Sequence, residues 1–266
     1  MRRRLDAELV RRGLSTSRQR ALEEIGAGRV LVGGLPARSA ARRVAADESI
    51  SVSGAGPRFV SRGGEKLAAA LEQFDVAVPG RRALDAGAST GGFTDCLLQA
   101  GAAHVVAVDV GRGQLAWSLR TDPRVTVLEQ TNVRYLTPED IGGRVDLCTA
   151  DLSFISLSVC APALARCTTD DADLVLLVKP QFEAGRAQVG KGGVVRDASV
   201  HRSVLRRVRD GLAAAGINAV AALPSPLRGA DGNVEFFFHA RRDGGRTVGD
   251  DALDAAVDRA PTGPRS

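Results

Sequence analysis

Apolar positions along the chain follow two rhythms that change near residue 60. In the first, Leu5, Leu9 and Val10 recur at helical spacing and stop at Gly13. Ala21, Leu22 and Ile25 repeat the spacing behind Ser15 or Ser17, either of which can cap a helix, and Gly26 and Gly28 close it. Val30 and Val32 alternate before a Gly33-Gly34 turn, and Ile50 and Val52 alternate again, which predicts a small β unit behind two helices. From residue 64 onward, seven apolar runs follow: RRALDAG, HVVAVDV, VTVLEQT, VDLCTADLSF, DLVLLVKP, GINAVAALP and VEFFFHAR. Helical stretches such as LAAALEQF and 199–214 separate them. Apolar strands alternating with helices predict an α/β Rossmann-like fold, a mostly parallel seven-stranded sheet covered on both faces. SPLRGADGN, between the last two runs, is too short for a helical crossover, so the last strand is expected to be antiparallel.

The organisation expected from these rhythms is a small α/β module at 1–56, a linker at 57–62 within SVSGAGPRFVSRGG, a large domain at 63–242 and an extension at 243–266. The extension is expected to hold one short helix and otherwise to be loose.

LDAGASTGGFT, at 84–94, joins the first strand of the large domain to a helix. Its pattern, D-x-G-x-x-x-G-G, differs from the G-x-G-x-x-G turn that receives a pyrophosphate. A carboxylate two residues before the first glycine suits a cationic, amino-bearing ligand, which points to S-adenosylmethionine; a nucleotide-free or nicotinamide-binding turn is the competing reading. Asp85, Gly87, Ser89, Thr90, Gly91, Gly92 and Phe93 are the expected cofactor residues of the turn. Asp109 ends the next strand, where a carboxylate can accept from ribose hydroxyls, and Asn132 follows the third strand as an adenine contact.

Charge sharpens the division of the chain. Residues 1–62 hold thirteen Arg and six Asp or Glu, a net +7 against +5 for the whole, so the remainder stands at −2. A basic segment of this kind fits a polyanion partner or, more plainly, a solvated Arg-rich surface. Among the 36 basic residues only Lys66, Lys179 and Lys191 are lysines. Lysine can be deprotonated in a protein and arginine cannot, so retained lysines draw attention. Asp151 and Lys179 end the fourth and fifth strands, and Glu235 starts the seventh. Parallel strands present their carboxyl ends to the ligand crevice, and an antiparallel last strand begins on that same edge. With Lys66 just after the linker, these residues form the expected catalytic set; taken singly, each reads equally as a surface charge. Lys191 is expected to contact RNA or to be merely solvated, Trp117 and Phe93 to be core or cofactor wall, and Phe182 to pack against a displaced nucleotide. Cys96, Cys148, Cys160 and Cys167 form no C-x-x-C pair, which predicts buried reduced thiols and no metal site. No apolar run is long enough to span a membrane, and the N-terminus lacks a signal peptide's apolar stretch, so a cytoplasmic protein is expected.

RLDAELVRRGLSTSRQRALEEIGAGRVLVGG resembles the S4 RNA-binding domain over about fifty residues, through its R-L-D-x-x-L-V-x-R-G-L opening, S-R-x-x-A and I-x-x-G-x-V-x-V-x-G. The resemblance implies Arg4, Arg11, Arg18, Arg20, Arg29 and Arg38 as RNA-binding residues; Arg38-Ser39 stands where relatives carry a basic residue after the turn. The glycine turn, DLSFIS and the Lys66–Asp151–Lys179–Glu235 set resemble the TlyA subfamily of FtsJ-like 2′-O-methyltransferases, nearly end to end. That implies a Rossmann-like class I methyltransferase that methylates cytidine 2′-hydroxyls in ribosomal RNA, with S-adenosylmethionine as cofactor. Implied partners are ribosomal subunits, neither DNA nor membrane, with the chain acting as a monomer. The Arg-rich start and the helical extension resemble the longer subtype, which acts on both subunits. The alternatives are a non-catalytic RNA-binding or ribosome-assembly factor, a haemolysin, and a base methyltransferase. For the last, Asp151-Leu152-Ser153-Phe154 stands where an Asp/Asn-Pro-Pro-Tyr/Phe motif is expected.

Overall fold

The chain divides into two units, residues 1–58 and 59–266, in a computed structural model that describes residues 2–54, 58–229 and 231–261.

The smaller unit runs β1 (Arg3–Arg4), α1 (Leu5–Arg11), α2 (Arg18–Gly26), β2 (Val30–Val32), β3 (Leu35–Pro36), β4 (Arg43–Val44) and β5 (Ile50–Val52). Ser17, rather than Ser15, caps α2 by accepting from the Arg20 amide at 3.1 Å. β2 lies between β3 and β5, all antiparallel, and β1 pairs with β4. Leu5, Leu9, Ala21, Ile25, Val30 and Val32 meet in one core, as their spacing predicts, while Leu22 stays 48% exposed.

The larger unit opens with α3 (Arg62–Phe74), capped by Ser61. It continues with β6 (Arg82–Ala86), α4 (Gly92–Gln99), β7 (His104–Val108), α5 (Trp117–Arg120), β8 (Val125–Leu128), β9 (Val145–Ala150) and α6 (Leu157–Cys167). After these come β10 (Thr168–Val178), α7 (Pro180–Glu183), α8 (Ala198–Ala214), β11 (Asn218–Pro224), β12 (Phe236–Arg241) and α9 (Asp250–Asp258). Its seven strands are ordered β11-β12-β10-β9-β6-β7-β8. β12 is antiparallel to both neighbours and the central pairs are parallel. Side chains leave a strand on alternate faces, so the Phe236-Phe237-Phe238 run feeds both sides. Phe236 and Phe238 enter a core shared with α6, α8 and α9, and Phe237 enters the one shared with α3 and α4. All four cysteines are free and buried.

Three features differ from the pattern expected along the chain. The unit boundary cuts the proposed 57–62 linker: Phe59 is buried in the core of the larger unit and Arg62 already begins α3, while Pro57 lies outside the described residues. The 243–266 extension is part of the larger unit's core as far as α9, through Leu253, Ala256 and Val257. Its helix is held by Arg206 and Arg209 on Asp250, at 2.9 and 2.6 Å. Trp117 is not core, being 75% exposed.

Candidate active site

The parallel strands of the larger unit end on one edge, and the turn after β6 is built to be crossed closely there. Gly87 sits at φ +89°, and a Cβ on it would lie 2.6 Å from the Asp151 carbonyl oxygen. Gly91, at φ +96°, caps α4 where a Cβ would lie 2.3 Å from Leu119. Both positions therefore demand glycine on sterics and on backbone conformation. Ser89 also adopts a positive φ of 48°, and its amide donates to Asp109 at 2.8 Å. The Gly111 amide donates to the other Asp109 oxygen at 2.7 Å, so that carboxylate is fixed at the end of β7 with further acceptor capacity. Ala88, Ser89, Asp109, Gln114, Leu115 and Glu129 line a pocket here. Gln114 and Glu129 were not singled out by the sequence; the signal lay in their following the strand ends.

Asp85, beneath the turn, is completely buried. Thr94 donates to one of its oxygens at 2.6 Å, and the other has no hydrogen-bond partner. Burial pushes its carboxyl up to about 7, with Asp151 and Asp109 acting in the same direction against the Thr94 bond. An unpaired buried carboxylate among acids is a standing cost that a cationic group would relieve. With the glycine turn and the Asp109 acceptor, this donor and acceptor set fits the amino group and ribose of S-adenosylmethionine.

The other expected cofactor residues have the following surroundings. Phe93 is 3% exposed and packs 6.2 Å from Phe237 in the core, because the second residue of α4 faces the sheet. Gly92 packs beside Ser61 and Gly64, where α4 meets α3. Thr90 is exposed and its carbonyl accepts from the Ala116 amide. Asn132 uses its side-chain oxygen to cap the short turn Val133–Tyr135, and it does not line the pocket.

The four charged residues form two ion pairs. Lys179 Nζ lies 2.5 Å from Asp151 Oδ1, joining the ends of the adjacent strands β10 and β9, and also donates to Ser153 Oγ at 3.1 Å. Lys66, on α3, donates to Glu235 at 2.6 Å, with both side chains buried. The β10–β12 ladder ends at Val178↔Phe236, so Lys179 and Glu235 are the next residues outward on neighbouring strands, and the pairs sit side by side. Phe154 is 90% exposed with φ +63°, its ring 4.8 Å from that of Phe182. Phe182 in turn lies 6.0 Å from Lys179 Nζ. A non-glycine residue in the left-handed region carries a backbone cost that the surrounding fold holds in place beside the strand ends. Glu183 ties this segment to the N-terminus of α6, accepting from Ser156 at 2.6 Å and from the Leu157 amide at 2.8 Å. Lys191 is exposed in a glycine-rich loop. Among the described residues, no cluster of three or more His, Cys, Asp or Glu could hold a metal ion, and no helix is long and apolar enough to cross a membrane.

In the smaller unit Arg4, Arg11 and Arg18 are exposed over carboxylates that are themselves buried, Asp6 and Glu8. Arg20 pairs with Glu23 and the buried Glu24. Arg29 is half-buried and Arg38 exposed.

A seven-stranded sheet with one reversed strand, a carboxylate–glycine turn after its first strand and paired charges at its strand ends define an S-adenosylmethionine-dependent methyltransferase. Comparison with known proteins agrees: the FtsJ-like methyltransferase family matches residues 59–242, and the S4 domain matches residues 3–50. The 16S/23S rRNA (cytidine-2'-O)-methyltransferase TlyA of Mycobacterium tuberculosis is 58% identical over 97% of this chain and 96% of its own. Hemolysin A of Brachyspira hyodysenteriae is 38% identical over 89% and 98%. A solved structure from Streptococcus thermophilus, described as a hemolysin, superposes with a TM-score of 0.78 at 39% identity, covering 97% of this chain and 95% of that one. The chain belongs to the TlyA family of FtsJ-like methyltransferases.

Proposed function

We propose that this protein methylates the 2′-hydroxyl of cytidine in ribosomal RNA, using S-adenosylmethionine, on the large and the small ribosomal subunit. The observation that carries the reading is the Lys179–Asp151 pair beside the Lys66–Glu235 pair, at the edge where the glycine turn opens. The cytidine ribose and the two subunits rest on likeness to the Mycobacterium tuberculosis relative, whose name specifies both 16S and 23S rRNA. A Campylobacter jejuni relative named for 23S rRNA alone is 34% identical over 68% of this chain.

Asp85, Gly87, Ser89 and Asp109 would hold the cofactor, which supplies an electrophilic methyl group when bound. The remaining task belongs to the chain's own residues: to bring a weak nucleophile into line and to remove its proton. Lys179, fixed by Asp151 and Ser153, orients the ribose 2′-oxygen. Transfer would break the methyl group's bond to the cofactor's sulfonium sulfur and leave a neutral thioether, while the hydroxyl proton passes to Lys179, or through an already charged Lys179 to Asp151. Lys66, held by Glu235, places a second positive charge beside the developing negative oxygen. Positioning can supply about 7–11 kcal/mol of such a barrier when the reactants are well aligned. Phe154 offers its exposed ring to the base of the nucleotide drawn out of the RNA. On the smaller unit, Arg4, Arg11, Arg18, Arg20, Arg29 and Arg38 supply the phosphate contacts.

The test is Lys179→Ala assayed for methyl transfer to ribosomal subunits and, separately, for cofactor binding. Transfer is expected to be abolished with cofactor affinity nearly intact; retained transfer removes Lys179 from the mechanism.

A further inference from the structure

The surface that the smaller unit presents as its basic face is underlain by acids. Asp6, Glu8 and Glu24 are 3%, 1% and 3% exposed, although a carboxylate beneath a polyanion-binding face opposes the partner. The hydrogen bonds of Asp6 and Glu8 give these two a purpose. Asp6 accepts from Arg4 Nε at 3.1 Å and Nη2 at 3.0 Å, and from Arg18 Nη2 at 3.4 Å. Glu8 accepts from Arg11 Nε at 2.8 Å and Nη2 at 2.5 Å. Arg4 and Arg11 each spend Nε and Nη2 on an acid, and Nη1 makes no hydrogen bond among the described residues. Their side chains remain 48% and 49% exposed, and that of Arg18 61%.

Arg12 supplies the contrast on the same helix end. It bonds Glu8 and also the Ala45, Ala46 and Glu48 carbonyls, so its guanidinium is consumed by the fold and is only 20% exposed. Paired with Arg12 alone, Glu8 would be a structural acid; holding Arg11 as well, it reaches the surface. Both acids keep their charge at neutral pH: hydrogen bonds from Arg11 and Arg12 hold Glu8 down at about 2, and the bond from Arg4 lowers Asp6.

We propose that Asp6 and Glu8 are positioning residues for RNA binding, buried carboxylates that grip Arg4, Arg18 and Arg11 from below and hold their free N–H groups outward in the geometry that phosphate oxygens accept. A free arginine side chain carries considerable rotamer entropy, which must be lost when it settles on a phosphate. A guanidinium already clamped on one edge has lost it before the RNA arrives. The inference rests on the reading of this unit as an RNA-binding face, and the experiment separates the two.

The experiment measures affinity of the full chain for extracted large-subunit ribosomal RNA over a salt series. Removing a negative charge from a polyanion-binding unit strengthens binding if charge alone matters. Asp6→Asn is expected instead to weaken binding about three- to tenfold, the effect of freeing one or two rotamer-rich side chains. The slope of log affinity against log salt should fall by about one as ordered phosphate contacts are lost. Asp47→Asn, at an exposed acid of the same unit, serves as the charge control and is expected to bind as tightly as the parent or more so. In an Arg4→Ala/Arg18→Ala background Asp6→Asn should add nothing, because the residues through which it acts are gone. Unchanged or tighter binding by Asp6→Asn, or an undiminished loss in that background, overturns the positioning role. If Arg4→Ala/Arg18→Ala itself leaves affinity unchanged, the RNA-face reading falls and the proposal with it. Should Asp6→Asn lose its cooperative thermal transition, Arg4→Lys carries the test. It keeps the charge and gives up the two-pronged grip, so a similar loss is expected, and parental affinity overturns the proposal.

Discussion

Asp85 is the residue in which burial and charge meet, and in the function proposed above it also takes the cofactor's amino group. Its carboxyl is raised to about 7, so the folded chain holds this proton more tightly than the unfolded one. The stabilisation it gives is therefore complete below about pH 4 and is lost as pH rises toward 7. A bound cationic amino group favours the ionised form, so cofactor affinity should rise between about pH 6 and pH 7, by up to about tenfold. Calorimetric titration across that range checks this, with Asp85→Asn expected to bind weakly and without the pH trend. Flat affinity in the parent contradicts the role given to Asp85. Glu235 makes a second, separate claim. Glu235→Gln leaves Lys66 buried without a counter-charge, and removing one partner of a buried pair costs about 3 kcal/mol or more in unfolding free energy. Denaturant unfolding of that variant reads this directly. The edge positions of Asp151, Lys179 and Glu235 were legible because a strand end in a parallel sheet has a known address. Their pairing was not, since Lys66 meets Glu235 only through the docking of α3. Phe154 was equally hidden, its left-handed backbone being imposed by the tertiary fold.

Elements carry the next set of forces. All seven strands of the larger unit lie where apolar runs placed them, since strands buried on both faces are continuous apolar segments. Two-residue strands such as β1 and β4 left no such trace, because so short a pairing has no period to read. Of the two places expected for Phe93, core or cofactor wall, it takes the core: the turn motif runs into α4, where helical periodicity, rather than proximity to the glycines, decides the direction of a side chain. The short helix expected in the extension is α9, and it is packed in place, its acidic face matched by arginines of α8 far away in the chain. Leu253→Ala, at a fully buried position of α9, should cost about 2–5 kcal/mol, measured by denaturant unfolding. A change near zero would mean that the helix is not part of the core.

Across the whole molecule, the uneven distribution of charge is the feature most plainly read from sequence. Residues 1–58, with twelve Arg against six Asp or Glu, form the unit that matches the S4 domain and carry a net +6, and the nearly neutral remainder, at −1, holds the match to the methyltransferase family. In the function proposed above, recognition and chemistry occupy different units, and deletion of residues 1–58 should weaken RNA binding and flatten its salt dependence while cofactor binding survives. Ribosomal subunits lacking the modification, incubated with the purified protein and S-adenosylmethionine, should gain 2′-O-methylcytidine in both 16S and 23S rRNA, and Lys179→Ala should add none. A methyl group found on a base, or none transferred by the parent protein, contradicts the account.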